Sequence, residues 1–192
     1  MNQNNSVIYS TQNDLLLNNL MDFYNQDNNL DKMLRIITGE SKISLRIVDW
    51  FATNYAKKYY TLYTFTDVNN NERRFKVYID YKLKLKAYSK KNFDPFCRWD
   101  RISVPYKDGK YIETTIGQLN FFKWALENKI IDYIQENYDT IEKDMNNRNS
   151  TSKRKEQIIN ENTKTRKKRE ELSISATKSI KKEEVEIVVK FH

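Results

Sequence analysis

At 192 residues, with a mean hydropathy of −0.86 and a net charge of +8, the chain has room for one medium domain plus appendages that stay in water. One cysteine (Cys97) and one histidine (His192) exclude a disulfide framework, Cys- or His-rich zinc sites, and Cys–His or Ser–His catalysis. Three glycines, Gly39, Gly109 and Gly117, write neither a dinucleotide fingerprint nor a Walker-type phosphate loop, so no cofactor and no metal is expected.

Residues 1–13 are polar and read as a disordered N-terminus. Leu15, Leu16, Leu20, Met21 and Phe23 recur at near-helical steps and predict a short helix over Asp14–Tyr24. Leu30–Ile37 reads as a second helix, stopped by Gly39. Ser41–Tyr59 is a longer one, capped by Ser41 or Ser44, with Leu45, Val48, Ala52 and Tyr55 on its apolar side. Tyr60–Phe65 and Arg74–Asp80 flank an Asp/Asn-rich turn and predict a hairpin. Beyond it the pattern is two-valued: Tyr81, Leu83 and Leu85 alternate, while Tyr78, Tyr81, Leu85 and Tyr88 share a helical face. The reading taken is a strand passing into a helix near residue 80 and ending before Pro95.

Arg101–Val104 and Lys110–Ile112 predict a second hairpin around Lys107-Asp108-Gly109. Thr114 or Thr115 then caps the strongest periodic segment, a helix over Ile116–Met145. The domain spans 14–146. A basic tail covers 147–182, and 183–192 is a terminal strand, with Val185–Phe191 suited to docking on a sheet edge. The fold class is α+β: a small antiparallel sheet of two hairpins packed on two main helices, with a basic, partly disordered C-terminal extension.

The charge is segregated. Residues 73–110 and residues 147–182 each hold 12 Lys/Arg against 4 Asp/Glu, and the remainder is acidic. Such local fields draw polyanions, whose affinity comes from phosphate neutralisation. In the first block Lys82, Lys84, Lys86, Lys90, Lys91, Arg98 and Arg101 interleave with aromatics, so these cations are the phosphate-binding candidates. Tyr88, Phe93 and Trp99 are the candidates for base stacking. The plain alternative is an amphipathic segment whose lysines face water while its aromatics pack. In the tail, Lys153, Arg154, Lys155 and Arg166, Lys167, Lys168, Arg169 form two clusters that suit nuclear import or non-specific phosphate contact. Asp67, Asp80 and Lys82 loosely match the two carboxylates and lysine of Mg²⁺-dependent nucleases, though Asp67 reads more simply as a turn residue. No stretch approaches ~18 apolar residues and the N-terminus has no signal-peptide pattern, so a soluble intracellular protein without a membrane partner is expected.

Four stretches resemble a family of small basic proteins of nucleocytoplasmic large DNA viruses, the mimivirus-like giant viruses in particular. They are SKISLRIVDWFATNYAKK (41–58), YKLKLKAYSKKNFDPFCRWDRI (81–102), TTIGQLNFFKWALENKIIDYI (114–134) and KREELSISATKSI with VEIVVKF (168–191). The resemblance implies a viral factory in the host cytoplasm, or a virion, as the setting. The host nucleus is a further compartment, from the import-like clusters. The function expected is non-enzymatic nucleic-acid binding, DNA or RNA, in genome replication, transcription or packaging. The alternatives are a virion-structural or scaffold protein that binds another viral protein and, more remotely, the nuclease.

Overall fold

The computed structural model describes residues 11–67, 70–97 and 100–148, together with the backbone of 182–183. Helix α1, Gln12–Tyr24, starts two residues before the predicted Asp14. Thr11 and Asp14 cap it reciprocally: the Thr11 side chain accepts from the Asp14 N–H, and the Asp14 carboxylate accepts from the Thr11 N–H at 2.9 Å. Helix α2, Asn29–Ile37, ends as predicted, with Gly39 at φ +81° just past its Thr38 cap.

The single helix expected over 41–59 is three pieces. Helix α3, Leu45–Trp50, is capped by Ser44; a π-helical turn, Phe51–Tyr55, follows; helix α4, Ala56–Lys58, completes it. The Thr53 hydroxyl donates to the Asp49 carbonyl at 2.7 Å, and this competition for a backbone acceptor accompanies the widened turn.

Strands β1 (Leu62–Thr66) and β2 (Glu72–Lys76) pair antiparallel, with Tyr63 opposite Phe75 and Leu62 opposite Lys76. Helix α5, Val77–Phe93, begins at once, three residues before the predicted switch. The helical spacing wins because Val77 and Tyr81 are both buried, whereas the alternation would also have buried Ile79, which is 55% exposed. A backbone kink at Ser89 (φ 64°, ψ 166°) bends α5 before it stops ahead of Pro95.

Strands β3 (Arg101–Pro105) and β4 (Tyr111–Thr115) form the second hairpin, and β5 (Lys182–Glu183) adds to the other edge of β4, with Lys182 opposite Ile112. The two hairpins belong to separate small antiparallel sheets, so the expected single sheet is divided. The fold class is mixed helix and sheet, as read. The predicted strand Val185–Phe191 lies outside the described residues.

The long helix predicted over 116–145 is broken twice, into α6 (Ile116–Glu127), α7 (Ile130–Glu136) and α8 (138–148). Thr115 caps α6, its hydroxyl accepting from the Gln118 N–H. Both breaks use one device: Asn128 and Asn137 turn their side-chain amides back onto the carbonyls of Trp124 (2.8 Å) and Tyr133 (3.0 Å), four residues earlier. Lys129 then takes a left-handed conformation, φ +56°. The Asn128 carbonyl, left outside the helix, accepts the Tyr63 hydroxyl at 2.6 Å, so the break anchors the first hairpin.

Helix α6 is the centre of the core, with Leu119, Phe121, Phe122 and Ala125 fully buried. It packs against α1, whose Tyr24 hydroxyl donates to the Leu119 carbonyl at 2.6 Å, and against α5. The Trp124 ring sits among Phe75, Tyr81, Phe93 and Phe121, and its Nε1 donates to Asp80 at 2.6 Å.

Candidate nucleic-acid interface

The fold divides the first basic block into two halves. In the C-terminal half each described cation among the candidates has a carboxylate. Lys90 lies 3.5 Å from Asp94, Lys91 2.7 Å from Asp100, and Arg101 3.2 Å from Glu113. Lys107 likewise pairs with Asp31. The carboxylates register the contact: a hydrogen bond from Lys91 lowers the pKa of Asp100, and those from Lys107 and Tyr106 lower that of Asp31. In the N-terminal half, Arg73, Arg74, Lys76, Lys82, Lys84 and Lys86 make no ion pair among the described residues. Among the described residues, this half therefore holds the candidate cations whose charge no carboxylate offsets.

Helix geometry then sorts the lysines of α5. Residues four apart share a face, and residues two apart diverge by about 200°. Lys82 and Lys86 therefore stand together on the outer side, both exposed, while Lys84 points away from them and is half-buried. On a strand the three would have shared a face. Their grouping in the sequence is a product of the alternating pattern that α5 overrides.

The stacking candidates divide as well. Phe93 is fully buried, its ring against Tyr81, Phe121 and Trp124, and is corrected to a core residue. A ring with no exposed face cannot receive a base. Tyr88 is half-buried and lies nearly parallel to Phe93, with 6.0 Å between centroids, so one face already has a partner. Arg98, Trp99, Lys153, Arg154, Lys155, Arg166, Lys167, Lys168 and Arg169 lie outside the described residues.

Side chains absent from the sequence-based candidates complete the surface. Phe75 of β2 is buried, so pleating sends Arg74 and Lys76 to the opposite, outward face, beside Thr64 and Leu62 of β1. Lys57, at the end of α4, brings its ammonium 5.7 Å from the centre of the Tyr78 ring. The signal for Arg74 and Lys76 was present in the alternation around Phe75. Lys57 was visible only as a helix-terminal cation.

Both carboxylates of the nuclease-like constellation have a hydrogen-bond partner within the fold. Asp67 closes the hairpin turn by accepting the Asn71 N–H at 3.0 Å. Asp80 accepts from Trp124 on the α6 side of α5, and Lys82 is two residues, hence about 200°, away from it. No group of three or more His, Cys, Asp or Glu is placed to hold a metal among the described residues. No described helix is long and apolar enough to cross a membrane.

Comparison with known proteins agrees with the giant-virus resemblance. A protein of Acanthamoeba polyphaga mimivirus named as uncharacterized is 46% identical over 130 residues, covering 65% of this chain and 50% of that protein. The match thus spans about half the length of that relative. No solved structure matches the chain. The profile described as "Family of unknown function (DUF7197)" matches residues 1–191, and the chain belongs to that family.

Proposed function

We propose that the protein binds nucleic acid without catalysing a reaction on it, and that it serves genome replication, transcription or packaging in a viral factory or virion. The observation that carries this reading is the set of cations on the outward face of β2 and the outer side of α5, Arg74, Lys76, Lys82 and Lys86, which make no ion pair among the described residues. An unpaired exposed cation exchanges its counterions for phosphates, whereas one already beside a carboxylate brings little net charge to the contact.

The test is a salt series of binding affinities on labelled DNA and RNA. Reversing Arg74, Lys82 and Lys86 to Glu should weaken binding at least tenfold and flatten the dependence on salt, by about one unit of slope per lost phosphate contact. Reversing Lys91 and Arg101 should do much less. Equal losses from the two sets would mean that the ion-paired half contributes as much as the free half, and would remove the basis of the assignment.

A further inference from the structure

The same surface carries exposed apolar side chains that a purely phosphate-binding patch does not need. Six large hydrophobic residues are exposed among those described, and three belong to β1 and α5: Leu62 (44%), Ile79 (55%) and Leu83 (61%). Ile79 and Leu83 are one helical turn apart on α5. With Tyr78, Leu85, Lys82 and Lys86 they line a shallow groove of about 530 Å³ on that helix. Leu62 stands opposite Lys76 on the hairpin, and α5 begins at the next residue, Val77. The helix carries one carboxylate in this stretch, that of Asp80, and it is engaged by Trp124.

From this interleaving we infer that the surface takes single-stranded nucleic acid in preference to duplex. The inference rests on the nucleic-acid reading above and specifies its ligand. A duplex presents phosphates outward and hides the faces of its bases, so Ile79 and Leu83 would gain nothing along its backbone. Bidentate reading of base edges in the major groove uses Arg, Lys, Asn or Gln, and of these the outer face of α5 offers only Lys82 and Lys86, set among Ile79, Leu83 and Ala87. An unpaired strand exposes both components at once. Its phosphates meet Lys76, Lys82 and Lys86, and the apolar base faces cover Ile79, Leu83 and the Tyr78 ring that lines the same groove. Recognition of this kind tolerates sequence, because every base has a flat apolar face.

The experiment compares the full chain on one labelled oligonucleotide of about 16 nucleotides, the upper end of a single-stranded site on one domain, and on the corresponding duplex. Binding to the single strand should be at least tenfold tighter. Ile79→Ser with Leu83→Ser should weaken single-strand binding about tenfold, leaving its salt slope and the duplex affinity unchanged, whereas Lys82→Gln with Lys86→Gln should reduce the slope by about two. Both positions of the apolar pair are exposed, so a thermal melt should show the variant folded. Duplex binding as tight as single-strand binding, with the apolar pair silent, overturns this inference and leaves the nucleic-acid reading standing. Binding to neither form, with a viral protein co-purifying through Ile79 and Leu83, overturns both.

Discussion

A Cβ placed on Gly117 would stand 2.8 Å from the backbone oxygen of Asp94 and 3.0 Å from that of Lys91. The first turn of α6 thus lies directly on the backbone that ends α5, and Asn120 reinforces the contact by donating to the Asn92 carbonyl at 2.9 Å. Backbone cannot yield as the tip of a side chain can. Gly117→Ala should lower the unfolding free energy by about 2–3 kcal/mol, although alanine is the better helix former, because two elements must separate to admit one methyl group. Urea titration of the purified variant measures it, and an unchanged or higher midpoint would mean that the two backbones are farther apart.

Phe93 and Tyr88 make the second prediction. As a core residue, Phe93→Ala should cost about 3–5 kcal/mol of stability. Where the variant is still folded, its affinity for nucleic acid should stay within about twofold of the original, the two effects being separate. Tyr88→Ala should cost less, since its ring is half-buried and has one main partner. A Phe93→Ala protein of native stability that had lost binding would restore Phe93 to the surface.

These two rings also show what a sequence can and cannot reveal. The caps at Ser44 and Thr115, the stop at Gly39 and the hairpins were legible, because each depends on a few adjacent residues. The breaks at Asn128 and Asn137 were less so: periodicity runs straight through them, and only the habit of asparagine to bind nearby carbonyls marks them. The partition of the basic block was illegible. Whether Lys91 is free or neutralised depends on where Asp100 is carried by the fold, and whether Phe93 is a stacking platform depends on what α6 places over it. Charge density was visible; charge availability was not.

Asp144 predicts an acid-sensitive tie. Its carboxylate accepts from Lys58 Nζ at 2.5 Å, the Tyr59 hydroxyl at 3.0 Å and Trp50 Nε1 at 3.2 Å, and so joins α8 to the α3–α4 segment. Burial works to raise its pKa, but the three donors outweigh burial and hold it below the ordinary carboxylate range. A lowered native pKa stabilises the fold above the unfolded value of about 4, and that contribution is lost as pH falls through the native value. Asp144→Ala should therefore lower stability at neutral pH by about 1–3 kcal/mol, chiefly by leaving Trp50 without an acceptor, and should make the acid limb shallower. Guanidinium unfolding at pH 7 and pH 3 checks both.

Asp49 has the opposite sign. Burial, and after it the nearby Asp94 carboxylate, push its pKa up to about 7, with Lys90 offsetting part of the rise. The Tyr81 hydroxyl also senses Asp49 and Asp94, and its own pKa is raised, mainly by burial. Between the unfolded carboxylate value of about 4 and the native value, the folded chain holds a proton that the unfolded chain has released. Stability from this group is complete at the acid end of that window and falls as pH rises through it. The sequence has one histidine, so few other side chains titrate between about pH 5 and pH 8 to obscure the effect. Asp49→Asn, neutral at every pH, should match the parent protein near pH 4 and exceed it by up to roughly 4 kcal/mol at pH 8. Urea unfolding of both proteins across this range gives the difference directly: curves that diverge with rising pH support a protonated Asp49 beside Asp94, and parallel curves would show that its carboxylate is already ionised in the fold.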